Sequence, residues 1–323
     1  MTVFLGLIAG VAQAATAVPP PIIDMHLHAE TADAYGPPGQ RICAPYGPWP
    51  ERDPRKPIDD YLQRFSIAPG CSHSFVAPVR DDDIRDRSIA ALRRFNIVAV
   101  ASGNDPARVE HWRKLAPDRI ISGLSFGDGK LPSIAQLRTL HAAGRLQVMG
   151  EIDAQYAGIA PNDPRLEPYY ALAEELDIPV GIHVGPGPPG IAYFGSPNMR
   201  LAHGNALLLE EVVIRHPKLR IYVMHSGWPL AEPMIALMYA YPQVYVDTGI
   251  IGYGYPRADF HAYLKRLVDA GFGERIMFGS DQMIWPDAIS AAIESITSAP
   301  FLSEQQKRDI LYHNAARFLQ LKP

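Results

Sequence analysis

Short runs of consecutive apolar residues alternate with amphipathic stretches along almost the whole chain. The runs at 22–28, 97–101, 120–126, 147–152, 179–184, 220–225, 244–248 and 275–279 have the length and continuity of parallel strands covered on both faces. Helical periodicity between and after them predicts helices at 82–95, 106–115, 133–143, 164–176, 205–215, 230–241, 259–270, 287–298, 303–311 and 313–319. Eight strand-then-helix units point to an α/β chain folded as a closed (β/α)8 TIM barrel rather than an open doubly wound sheet.

Two segments break the alternation. Residues 29–79 are too many for a plain βα connection and are rich in Pro, Gly and aromatics, among them Tyr35, Tyr46, Trp49, Tyr61 and Phe65. A long loop insertion after the first strand of a barrel is expected to lie over its mouth. A second long loop runs from 185 to 204 after strand five. The 31 prolines fall largely between apolar runs, which suggests stiff loops rather than disorder.

The chain start reads differently. Residues 2–17 carry no charge, 3–11 are apolar, and two small-x-small patterns follow, Ala12-Gln13-Ala14 and Ala15-Thr16-Ala17. The run is too short to span a bilayer, so residues 1–17 are expected to be a signal peptide. The protein would then be periplasmic or secreted, with 18–323 forming one barrel domain. This start lacks the usual Lys or Arg, and an apolar tail is the other reading. The two cysteines, Cys43 and Cys71, both fall in the first long segment. In an exported protein they could staple it, or they could be unrelated thiols. A net charge of −4 gives no reason to expect a nucleic-acid or anionic-membrane partner, leaving a small-molecule substrate and, as an open question, a homo-oligomer.

Chemistry gathers at the strand ends. In Asp24-Met25-His26-Leu27-His28 the two histidines are two residues apart, so they share one face of a strand. Adjacent inward imidazoles can hold Zn²⁺ or a similar divalent ion. Glu151, His183, His225 and Asp281 are each the first ionisable residue at the end of an apolar run. A barrel collects such positions at its catalytic face. Burying so many is costly unless they pair or bind metal.

The stretches IIDMHLHA, GEID, GIHVGP, YVMHSGWP, VYVDTG, MFGSDQMIWP and YHNAARFL resemble the amidohydrolase superfamily. The resemblance is strongest to the branch of aminocarboxymuconate-semialdehyde decarboxylase relatives and "amidohydrolase 2" proteins. It implies that His26, His28, His183 and Asp281 hold a metal. His225 is then a ligand of a second metal or a proton donor and carbonyl polariser. Members with a carbamylated lysine place Lys at the end of strand four; this chain has Glu151, as in the TatD branch, where Glu bridges two ions. The resemblance therefore implies one or two ions, Zn²⁺ first among them, with Glu151 a bridge or an acceptor for a ligand imidazole.

The activity expected is a metal-dependent hydrolysis of a small ester, lactone or amide, with Asp281 passing a proton from water to the leaving group. A non-oxidative decarboxylase or lyase of an aromatic or muconate-type acid fits the same scaffold. A non-catalytic binding barrel fits less well, because structural metal sites are usually closed by four protein ligands. For the substrate, Trp228, Tyr253, Tyr255 and Trp285 could form an aromatic pocket mouth. Arg200 or Arg80 could hold a carboxylate, and His73 and His203 lie in the long loops.

Overall fold

A computed structural model describes residues 19–129 and 131–321. The expected signal peptide, 1–17, lies outside the described residues. Eight parallel strands form the barrel: β1 (Ile22–His28), β2 (Ile97–Ser102), β3 (Ile120–Phe126), β4 (Val148–Ile152), β5 (Val180–Ile182), β6 (Ile221–Val223), β7 (Val244–Asp247) and β8 (Ile276–Met277). They pair in chain order. The seam between β8 and β1 is bridged by Met25 N donating to Phe278 O at 2.9 Å and Asp281 N donating to His26 O at 2.6 Å. Helices fill the outside, as the periodicity predicts. The helix Asp81–Arg94, for example, buries Ile84, Ile89 and Leu92, with acids in its first turn and Arg93 and Arg94 in its last, matching the helix dipole.

The barrel interior is packed, not open. Ile23, Met25, Val100, Val148, Tyr222, Met224 and Met277 form one buried cluster. Tyr222 on β6 crosses it to donate to the Met25 carbonyl on β1 at 3.1 Å. Phe318 of the last helix meets Tyr222 edge-on at 5.7 Å, so the C-terminal helix plugs this end. Chemistry is left to the opposite end, beyond the strand C-termini.

Simple alternation fails in β1. Its register against β2 shifts between Asp24 and Leu27. Met25 enters the interior core, yet His26 and His28 still face the catalytic end. Asp24 holds the irregularity: its Oδ1 accepts from His26 N at 3.0 Å and from Ser280 N at 2.9 Å. Burial pushes its carboxyl up to about 6, against the hydrogen bonds from Ser280 and His26. Asp24→Ala would strand two buried N–H groups, at about 1–3 kcal/mol each. We expect a stability loss of about 2–4 kcal/mol and a Tm lower by about 3–6 °C in a thermal melt; an unchanged Tm would contradict this role.

The segment after β1 is not a bare loop. It contains a two-stranded antiparallel sheet, Arg41–Cys43 with Ser74–Val76, and a short helix, Ile58–Leu62. Cys43 and Cys71 form a disulfide with Cα atoms 5.9 Å apart, which resolves the choice the sequence left open. The segment is docked by Tyr46 N donating to Gly254 O at 2.7 Å and Trp285 Nε1 donating to Gln40 O at 3.0 Å. One predicted helix is broken and two others are joined. Residues 205–215 start with a tight turn, Ala206–Leu209, capped by Asn205, before the helix Glu210–Arg215. A wide turn, Asp309–His313, joins Glu304–Arg308 to Asn314–Phe318.

Candidate metal centre

The six residues singled out at the strand ends converge. His26 and His28 come from β1, Glu151 from β4, and His183, His225 and Asp281 from just past β5, β6 and β8. The last three lie beyond the ladders because the chain turns there. His225 takes a left-handed φ of 57°, which ends β6 short of the predicted 225, and Asp281 takes one of 49° beyond the end of β8 at Met277. All six are nearly inaccessible to solvent.

Glu151 is central, with its two oxygens facing different histidines. Oε2 is 3.7 Å from Nε2 of both His26 and His28. Oε1 is 2.6 Å from His183 Nδ1 and 3.7 Å from His225 Nε2. Asp281 Oδ1 adds 3.0 Å to His28 Nε2 and 3.7 Å to His26 Nε2. Three donor triads lie within 4.8 Å: His26, His225 and Asp281; His26, His28 and Glu151; and Glu151, His183 and His225. Two of them share Glu151, and His183 pairs with Glu151 rather than joining His26 and His28.

The electrostatics favour cations. Burial alone would raise the Glu151 carboxyl, but hydrogen bonds with His183, His225 and His26 hold it well below the usual range. Asp281 is likewise lowered to about 2, where the His26 charge and the His28 hydrogen bond outweigh burial. Burial opposes protonation of His26, yet Asp281 and Asp247 raise it well above its ordinary value. Burial prevails at His183, which is lowered despite Glu151. The two carboxylates are therefore anionic and demand positive charge. His26 Nε2 and His183 Nε2 are buried with no hydrogen-bond partner, and buried nitrogens without partners are costly unless something else satisfies them. A donor set of imidazoles and carboxylates fits a divalent ion.

A surrounding layer fixes these side chains. Asp247 Oδ2 is 3.0 Å from His26 Nδ1, while its Oδ1 accepts from His225 N at 2.8 Å and Gly249 N at 3.0 Å. Gln282 brackets His28, accepting from its N at 2.9 Å and donating to its O at 2.6 Å. Gly249 allows the close approach, because a Cβ there would come within 2.5 Å of His26 Nδ1. Asp24, Asp247 and Gln282 were not in the predicted set. Asp247 was within reach of the same rule, being the first ionisable residue after the apolar run Val244–Val246. We expect Asp247→Asn to keep the fold and lower metal affinity roughly 10–100-fold in a competition titration; wild-type affinity would exclude this orienting role.

The predicted substrate residues divide. Trp228 lies 3.8 Å from the Tyr255 ring, in an aromatic group with Tyr46, Trp49 and Phe65. Tyr253 is buried, and its hydroxyl donates to the Asp281 carbonyl at 2.5 Å, so it supports Asp281 rather than lining the mouth. The Trp285 indole N–H is spent on Gln40, and its ring stacks on Tyr35 at 6.2 Å, which anchors the covering segment. Arg200 is exposed and its Nη1 donates to the carbonyls of Pro197 and Met199 at 2.8 Å. Arg80 is exposed too. Tyr156, which the sequence reading did not single out, packs its ring 4.8 Å from His183.

The amidohydrolase family model matches residues 23–321, almost all of the barrel. The chain belongs to the amidohydrolase family. Among solved structures, this amidohydrolase resembles an uncharacterised TIM-barrel protein of Bordetella bronchiseptica at 19% identity and TM-score 0.63, covering 93% of this chain and 99% of that one. It also resembles 5-carboxyvanillate decarboxylase of Sphingomonas paucimobilis at 14% identity and TM-score 0.57, over 94% and 99% of the two chains. A probable 2-pyrone-4,6-dicarboxylic acid hydrolase of Acinetobacter baumannii, with citric acid bound, gives 13% identity and TM-score 0.57 over 94% and 100%. At such identities these establish the shared fold. Protein fluG of Emericella nidulans is 21% identical over 158 residues, 44% of this amidohydrolase, which spans only 17% of that protein. The family is metal-dependent, and the cluster supplies the donors for it.

Proposed function

We propose that this amidohydrolase is a metal-dependent hydrolase of a small ester, lactone or amide, with a two-ion centre bridged by Glu151. His26, His28 and Asp281 would hold one ion and His183 and His225 the other, with Zn²⁺ the expected metal. The observation that carries this reading is the split of Glu151 between the two histidine pairs, Oε2 toward His26 and His28 and Oε1 toward His183 and His225. Divalent ions bound there supply Lewis acidity and make water nucleophilic near neutral pH.

The protein's own residues do the rest. Asp281, anionic and next to His28, accepts the proton of the attacking water and returns it to the leaving group. Tyr253 and the His26 carbonyl clamp the Asp281 backbone from either side, its O accepting and its N donating. Asp247 fixes the His26 ring. The six cluster residues are almost fully covered, which limits entry of bulk water.

Hydrolysis in ¹⁸O-labelled water tests the reaction class. The reading predicts one labelled oxygen in the acid product and no carbon dioxide. Release of carbon dioxide without label would instead make the enzyme a decarboxylase on this scaffold.

A further inference from the structure

The six cluster residues are only 2–8% exposed, so a substrate cannot reach them until part of the catalytic end moves. The strand ends belong to the packed barrel. Two long connections remain, and they are held with different firmness. The one after β5 is pinned: Gln155 donates to the Gly185 carbonyl at 2.7 Å and accepts from Gly185 N at 3.2 Å, and Ser196 and Met199 are buried.

The covering segment is firm only at its base. There the strands Arg41–Cys43 and Ser74–Val76 pair, and the Cys43–Cys71 bridge joins the two ends of residues 44–70. Within 44–70, Tyr61 is the one buried residue. Among the described residues, one hydrogen bond ties 44–70 to the barrel, from Tyr46 N to Gly254 O at 2.7 Å. Its other contacts there are ring contacts. Tyr46 and Trp49 each lie 6.3 Å from the Tyr255 ring, and the Arg52 guanidinium lies 4.3 Å over the Tyr193 ring. Tyr61 rests on Gly190, where a Cβ would meet its ring at 3.4 Å. A segment with so little buried surface and so few tertiary hydrogen bonds opens at low free-energy cost.

Its resting places border the cluster. In a ring of eight strands paired in chain order, β5 lies opposite β1, so a segment rooted after β1 that touches Gly190 and Tyr193 reaches the far side of the catalytic end. On that side Gly187 packs against Tyr156, whose ring is 4.8 Å from His183. On the β7 side, Gly254 follows Tyr253, whose hydroxyl donates to the Asp281 carbonyl. We propose that residues 44–70 are a flap that lifts off the β5 and β7 connections to admit substrate, hinged on the paired strands and the Cys43–Cys71 bridge, which stay in place. This rests on the reading of the cluster as a metal centre and is independent of the reaction class.

The test reads opening as the rate at which Zn²⁺-loaded protein loses its metal to a chelator. The two native cysteines are bridged to each other, so Arg52→Cys with Tyr193→Cys supplies the only free thiols, which a bismaleimide can join across the flap contact. The cross-linked protein should lose Zn²⁺ at least about tenfold more slowly than the same variant left unlinked. Tyr61→Ala, which removes the buried anchor of the flap, should lose it at least about tenfold faster, with faster amide hydrogen exchange in 44–70 and unchanged exchange in β1–β8. Zn²⁺ loss that the cross-link does not slow, thiols that fail to join, or exchange that quickens throughout the barrel in Tyr61→Ala would each overturn the flap. A wild type that takes up no Zn²⁺ would count against the metal reading alone. Exchange of the Tyr46 amide, bonded to Gly254 only while the flap is shut, then decides the matter: the cross-link should slow it, and an unchanged rate would overturn the proposal.

Discussion

Asp281→Asn is expected to lower kcat by several orders of magnitude while the protein stays folded. The amide keeps an oxygen facing His28 but cannot take a proton, so the step that activates water and the step that protonates the leaving group both lose their acid–base group. Proton transfer by a positioned side chain contributes about 10²–10⁴-fold. The change also removes one negative charge from a site where Asp281 faces His26, His28 and His225, which weakens the hold on cations as well. Steady-state kinetics with saturating Zn²⁺ separate the two effects. A kcat close to wild type under those conditions would remove Asp281 from the mechanism.

Glu151→Gln has the next largest expected effect, and it falls on the metal count. Both Glu151 oxygens are used, one on each side of the cluster. A neutral amide offers one acceptor and one donor, so one side must face an N–H where it had an anionic oxygen. We expect the variant to lose one equivalent of metal well before the other during dialysis against chelator, measured by elemental analysis. Uniform weakening of roughly 10–100-fold with unchanged stoichiometry would show that Glu151 only orients its neighbours.

Fold class was legible because the strands are continuous apolar runs and the helices keep their 3.6-residue period, and both survive as β1–β8 and the outer layer. The six cluster residues were legible by two rules: the two-residue spacing of His26 and His28 on one strand, and the first ionisable side chain after an apolar run for Glu151, His183, His225 and Asp281. The supporting residues were less so. Asp24 looked like part of a regular strand, and its role exists only because β1 is irregular and frees the N–H groups of His26 and Ser280. Tyr46 and Tyr156 lie on irregular connections, where no periodicity predicts direction. The aromatic mouth was read by proximity in sequence, which could not tell Trp228, set beside Tyr255, from Tyr253, whose hydroxyl turns to Asp281. Arg200 Nη1 turns to the carbonyls of Pro197 and Met199, a local contact that spacing along the chain does not reveal.

The central claim is that one carboxylate joins two metal-binding halves. Crystals grown with Zn²⁺ and measured on either side of the zinc absorption edge test it most directly. The account predicts two anomalous peaks flanking Glu151, one among His26, His28 and Asp281 and the other between His183 and His225. A single peak, or none at this cluster, would contradict it.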